Sequence, residues 1–365
     1  MSIHNAENDR IKRRYIDRLK HAKGHSDQTI DRALASIDRF ESYIGGRSFK
    51  AFHIQQAAGF KTRLLESTNP STKKPLSKAT VHGILSDNQR FFHWLAEQHG
   101  YRSRIRYGDS DYFNLSDRDV RIASASIPRE GPSLAQIRQV LGGMPAVTPV
   151  EKRDRAIIAF TILTGARDAA TASMKLKHIN LSEGQIFQDA REVKTKFAKS
   201  FPTWFFPVGD DIRAIVEEWV GFLDAKMLFG PNDPLFPATE VVQAGGRKFK
   251  SNGLSRRHWS TANRIRHIFK QAFQAAGLPY FNPHSFRNTL VALGMDLCDG
   301  NIEAIKAWSQ NLGHEKLLTT LTSYGNVAPK RQADILRGLI RRRQPGADVL
   351  EIARELVDAV QRRRE

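Results

Sequence analysis

Cysteine occurs once in this chain of 365 residues, at Cys298. No intramolecular disulfide can form, and a reducing, cytoplasmic setting is expected. With neither a cysteine pair nor a His-x-x-x-His helix, a structural zinc site is not expected. No apolar run is long enough to span a bilayer. The opening residues, MSIHNAENDRIKRR, lack the apolar core of a secretory signal. Acid is also scarce: 38 Asp and Glu stand against 57 Lys and Arg, a net charge of +19 with a pI near 10.2. In a composition that is otherwise soluble, 40% hydrophobic and 26% charged, this excess points to a polyanionic partner, nucleic acid first. A merely basic, solvated surface is the plainer alternative.

The length exceeds one compact domain and predicts two. After Ser26, apolar residues at Ile30, Ala33, Ile37, Phe40 and Ile44 make one buried helical stripe, stopped by Gly45 and Gly46. HIQQAAGFKTRLLES supplies another helix and TNPSTKKPLS a basic loop. A further helix follows Ser77 through Val81, Ile84, Leu85, Phe91, Phe92 and Leu95. This bundle ends near Tyr101. From about Arg102 to Gly131 the periodicity is lost and the residues suit a connector. Capping signatures then resume, Ser133 with Gln136 and Thr148 with Pro149 and Glu151. RAIIAFTILTGAR reads as a buried helix broken at Gly165. The segment QIFQDAREVKTKFAKSFPTWFFPV is the one place where strands are predicted, flanking a turn around Phe197 to Ser200. Ile265, Ile268, Phe269, Ala272, Phe273 and Ala276 make another amphipathic helix. Beyond Pro345, Val349, Ile352, Leu356 and Val360 share one face of a short helix, which caps its own domain or docks on a neighbouring protomer.

The chemistry concentrates in NPHSFRNTLVALG. Asn282 can cap a helix and Pro283 suits its first position, so His284 and Arg287 fall in the first turns. A helix N-terminus adds amide donors and partial positive charge, a natural phosphate site. His-x-x-Arg alone is a weak signal. Upstream, Arg167 follows the Gly turn of LTGARDAA; downstream, QNLGHEKLLTTLTSYGNV offers His314 after Gly313 and then Tyr324. Singly, Tyr324 could be a half-buried core residue, Arg167 a helix cap and His314 a surface histidine. The ordered combination is what outweighs these readings.

In that order the chain resembles the tyrosine recombinase, or phage integrase, family. The resemblance implies a mainly α fold with a small β-sheet. A helical core-binding (SAM-like) DNA-binding domain would span 1–104 and a linker 105–131. An α+β catalytic domain would follow at 132–344 and a C-terminal tail helix at 345–365. It also implies roles. Tyr324 would be the nucleophile that leaves a 3′-phosphotyrosine, and Arg167 and Arg287 would bind the non-bridging oxygens of the cleaved phosphate. His284 would accept the tyrosine proton, His314 would hydrogen-bond the phosphate, and Lys194 would protonate the departing 5′-oxygen, with Lys196 the alternative. No cofactor or metal is expected. The implied partners are double-stranded DNA at specific sites and a homo-tetramer on that DNA, with room for an accessory directionality factor and no membrane. One departure stands out: the family usually has an acidic residue three positions after the first arginine, and here it is Ala170; Asp168 lies in a different helical phase. A type IB topoisomerase-like enzyme and a catalytically silent DNA-binding protein are the competing readings. With only about ten residues before the bundle, a separate arm-binding module is not expected.

Overall fold

The computed structural model describes residues 5–125, 130–244, 248–299, 301–314, 332–333 and 336–337. Its contacts divide into two compact units, meeting between Ser126 and Ile127. Both the expected tail helix and Tyr324 lie outside the described residues.

The first unit is helical. Helix α1 (Ala6–Asp17) starts at Asn5, whose side chain accepts from the amides of Glu7 and Asn8. Helix α2 (Asp27–Tyr43) buries Ile30, Ala33, Ile37 and Phe40, as the spacing predicts. Ser26 precedes it, but its hydroxyl meets that of Thr29 rather than a backbone amide. Gly45 and Gly46, at φ +67° and +69°, end it in the left-handed region that glycine enters without strain. Helices α3 (Ile54–Glu66) and α4 (Lys78–Ala96) follow, the latter capped by Ser77. Phe40 sits at the centre, its ring 5.2 Å from that of Phe60 and 5.3 Å from that of Phe92, both edge-on.

The stretch read as a connector is folded for much of its length. A 3-10 helix covers Tyr107–Phe113 and helix α5 covers Asp117–Ser124. Ile105, Phe113 and Leu115 are buried in the same core as Phe40. The Phe113 ring lies 5.3 Å from that of Phe40. Its anchors are single apolar side chains set among charged ones, so no helical period marks them.

The second unit is α+β. Helices α6 (Leu134–Gly143) and α7 (Pro149–Thr164) begin at the two capping boxes read in the sequence. From Ala156 to Thr164 every residue of α7 is buried, and the helix packs against several others at the centre of the core. After helix α8 (Asp168–Ser173) comes an antiparallel sheet of β1 (Ile179–Asn180), β2 (Gln185–Gln188) and β3 (Phe201–Trp204), in that order. Ile186 faces Thr203 across it, both fully buried. Helix α9 (Asp210–Ala225) then leads to a second antiparallel pair, β4 (Thr239–Ala244) with β5 (Lys248–Leu254). The expectation of strands in a single place is therefore corrected. Neighbouring residues Val241 and Val242 are 56% and 41% exposed, so neither face is buried there and no apolar alternation marks the ribbon. Helices α10 (Asn263–Ala275), α11 (Phe286–Leu297) and α12 (Ile302–Asn311) complete the described unit. The chain is mainly α with small sheets. Among the described residues no helix is long and apolar enough to cross a membrane.

Candidate phosphate-binding site

The site is built where three helix ends meet. Gly165 ends α7 at φ +61°, the αL cap that reverses the chain. A Cβ there would come within 3.0 Å of both Leu290 and Leu312, so the turn is also a point of close approach. Two residues on, Arg167 is the N-cap residue of α8, half-buried and with extended backbone. Its neighbour Asp168 pairs with Arg266 at 2.7 Å, which directs that carboxylate to α10. Ala170, where the family's acid would stand, is 1% exposed and packs in the core.

Asn282 caps the next turn as expected, its side chain accepting from the Ser285 amide at 3.1 Å. Pro283–Ser285 forms a 3-10 turn before α11 begins. Phe286 is fully buried, its ring edge-on to that of Phe269 at 5.0 Å, and this fixes how the turn is presented. His284 is consequently exposed while Arg287 points inward, 3% exposed. The Arg287 guanidinium donates to the Gly165 carbonyl at 2.6 Å, to the Leu312 carbonyl, and meets His314 Nε2 at 2.8 Å. One side chain thus joins the end of α7 to the end of α12.

Helix α12 stops at Gly313, φ +69°, whose missing Cβ leaves room for the ring of Phe201. The Asn311 side chain holds the same junction: it accepts from the Trp204 amide at 2.7 Å and donates to the Trp204 carbonyl at 2.9 Å. His314 follows, 8% exposed, against Arg287.

The loop between β2 and β3 carries both candidate lysines. The Lys194 amide donates to Ser173 Oγ at 2.8 Å, tying the loop to α8. Both the Lys194 and Lys196 side chains are exposed. Their charges fall on different partners: Lys196 acts on His284 and His314, Lys194 on His258. Before them, Glu192 meets His178 Nε2 at 2.9 Å and Lys177 at 2.9 Å, which with Lys175 holds its carboxyl down at about 2.

Electrostatics follow from this crowding of cations. Burial, then Arg287 and Arg167, push the His314 imidazole down to about 3. His284 keeps an edge open to solvent, yet partial burial, then Arg287 and Arg167, lower it as well. Both rings are therefore neutral near neutral pH. Because His314 Nε2 faces a guanidinium, which can only donate, that nitrogen is the acceptor and Nδ1 carries the proton. The charges of Arg167, Arg287 and Lys196 act on both imidazoles, an arrangement chemically suited to an oxyanion. Among the described residues no group of three or more His, Cys, Asp and Glu side chains could hold a metal ion.

Of the six residues predicted from the sequence, Arg167, His284, Arg287 and His314 interact directly or through their charges. Lys194 lies on the adjoining loop, and Tyr324 lies outside the described residues. Sequence reasoning did not find the carbonyls of Gly165 and Leu312 or the hydroxyl of Ser173; backbone acceptors and a lone serine carry no sequence signal.

Comparison with known proteins places the chain in a family. The sequence model of the phage integrase family matches residues 134–331, more than half of the chain. Tyrosine recombinase XerC of Halalkalibacterium halodurans is 22% identical over 338 residues, which span 91% of this chain and 97% of the relative. A lambda integrase dimer bound to a COC′ core site superposes with a TM-score of 0.59 at 14% identity, covering 87% of this chain and 95% of that one. For a lambda integrase tetramer bound to a Holliday junction the TM-score is 0.56 at 15% identity, covering 90% of this chain and 81% of that one. The chain belongs to the phage integrase family, the tyrosine-type site-specific recombinases of DNA.

Proposed function

We propose that this protein cleaves and rejoins DNA at specific sites through a 3′-phosphotyrosine intermediate, with Tyr324 as nucleophile. The observation that carries the reading is the joint placement of Arg287 and His314, hydrogen-bonded to each other, under the charges of Arg167 and Lys196. A phosphodiester repels nucleophiles, and its pentacoordinate transition state spreads extra negative charge over the equatorial oxygens. Arg167 and Arg287 would bind those oxygens, and His314 would donate to one through Nδ1–H. By analogy with an oxyanion-hole donor, each contributes ~3 kcal/mol to the transition state. Arg287 is pinned by two backbone carbonyls, so little reorganisation accompanies the reaction.

A phenol with a pKa near ~10 needs a base. His284, neutral and exposed beside the arginines, is suited to accept that proton. Lys194, or Lys196 on the same loop, would protonate the departing 5′-oxygen. The Ser173–Lys194 backbone bond supports the first choice, and the action of the Lys196 charge on both histidines supports the second. The P–O bond to tyrosine conserves the energy of the broken one, so religation needs no ATP. Exchange between two duplexes calls for a homo-tetramer on DNA, in the cytoplasm, with a directionality factor as an accessory.

The test is covalent trapping on nicked suicide substrates taken from the ends of the protein's own genetic element. Wild type is expected to give a slow-migrating protein–DNA adduct. Tyr324→Phe should bind the same DNA and give none. Binding without an adduct in either protein would establish a silent DNA binder instead, and Ala170 would be the residue to explain.

A further inference from the structure

The loop between β2 and β3 carries an exposed aromatic residue that the reaction above does not use. Phe197 is 77% exposed, at the loop's tip. Its backbone is left-handed, φ 61° and ψ 26°, and Ala198 beside it has φ 50°. A bulky non-glycine residue there is a conformational outlier. Neither strain nor solvation favours such a residue: the ring gains nothing from burial and the backbone is held off its preferred region.

The base of the loop is fastened. Ala190 donates to Ser200 Oγ at 2.9 Å, Val193 is 2% exposed, and the Lys194 amide is bonded to Ser173. The tip is therefore held out by a rigid base. Around the ring the chain is cationic: Lys196 Nζ lies 4.9 Å from its centroid, and Lys194 is exposed nearby. The loop's far end is seated at the site itself, because the Phe201 ring fills the space beside Gly313, next to His314, and the Lys196 charge acts on His284 and His314. An apolar ring between lysines, beside a phosphate site, suits a duplex. The lysines meet backbone phosphates and the ring meets base faces, which every sequence offers.

We propose that Phe197 is an apolar wedge that enters the DNA at the base step next to the cleaved phosphate, unstacks it, and so positions Lys196, which rides on the ring. Side chains of this type kink duplexes by insertion between bases. The inference rests on the recombinase reading above, and its test separates the two.

Full-length Tyr324→Phe protein, which leaves the DNA uncut, would be bound to duplexes carrying 2-aminopurine at single positions around the cleavage site. Fluorescence should rise at one base step. Adding Phe197→Gly, a residue that adopts the loop's φ without strain, should abolish the rise while binding persists; Phe197→Trp should keep it. In the cleavage-competent protein, Phe197→Gly should slow adduct formation, and an abasic site at that step should restore the rate, because unstacking no longer has to be driven by the ring. A rise unchanged by Phe197→Gly, or no rise at any position, overturns the wedge even where wild type forms its adduct. A Phe197-dependent rise in a protein that never forms an adduct keeps the wedge and overturns the recombinase reading.

Discussion

His314 shows what one residue's surroundings dictate. A histidine in the unfolded chain titrates near ~6.5, whereas burial and the arginines take His314 down to about 3 in the folded one. Between these values the unfolded state holds the extra proton. Stability from this residue is complete above the unfolded value and is lost as pH falls towards the folded one. His284, His178 and His258 are shifted in the same direction. We expect the melting temperature to drop as pH is lowered from about 6.5 to about 4, and to drop less steeply in His314→Gln. Parallel curves for the two proteins would mean that His314 is not held against Arg287. The four residues that the fold brings together, Arg167, His284, Arg287 and His314, were legible as an ordered pattern: Arg, His-x-x-Arg, Gly-His. Choosing between Lys194 and Lys196 was beyond the sequence, because they share a loop and the choice depends on where each ammonium lies in space.

At the scale of elements, the α12–β3 junction is the part most sensitive to a small change. Gly313→Ala would force a left-handed backbone on a residue with a Cβ, about 1–2 kcal/mol. It would also set that Cβ 2.5 Å from the Phe201 ring, so the loss should exceed the backbone cost alone. Denaturant unfolding measures the first effect, and slower adduct formation should report the displacement of His314. A variant as stable and as active as wild type would show that the junction is loose. Helices with a full apolar stripe, such as α2, α4 and α10, were readable from the sequence because burial repeats with the helical period. The β4–β5 ribbon was not, since its pairing is by backbone and Val241 and Val242 are both exposed. Ile105, Phe113 and Leu115 escaped notice for a related reason: three isolated anchors have no period.

For the whole molecule, charge governs the encounter with DNA. With a net charge of +19, the neutralisation of some six phosphates would give log affinity against log salt a slope of about −5, roughly a thousandfold between about 50 and about 200 mM. A flat response in a filter-binding titration would count against a protein that grips the duplex through its backbone. The Arg287 hub has a consequence in time as well. Its acceptor at Gly165 is made 122 residues earlier, and His314 only 27 residues later. At roughly 5–20 residues per second, a growing chain carries the Gly165 carbonyl for some seconds before the guanidinium arrives, and the imidazole later still. Until then a nascent polypeptide has the carbonyl acceptor without the guanidinium or the imidazole, so the Arg287–His314 pair is completed only after the helices from α7 to α12 have been made.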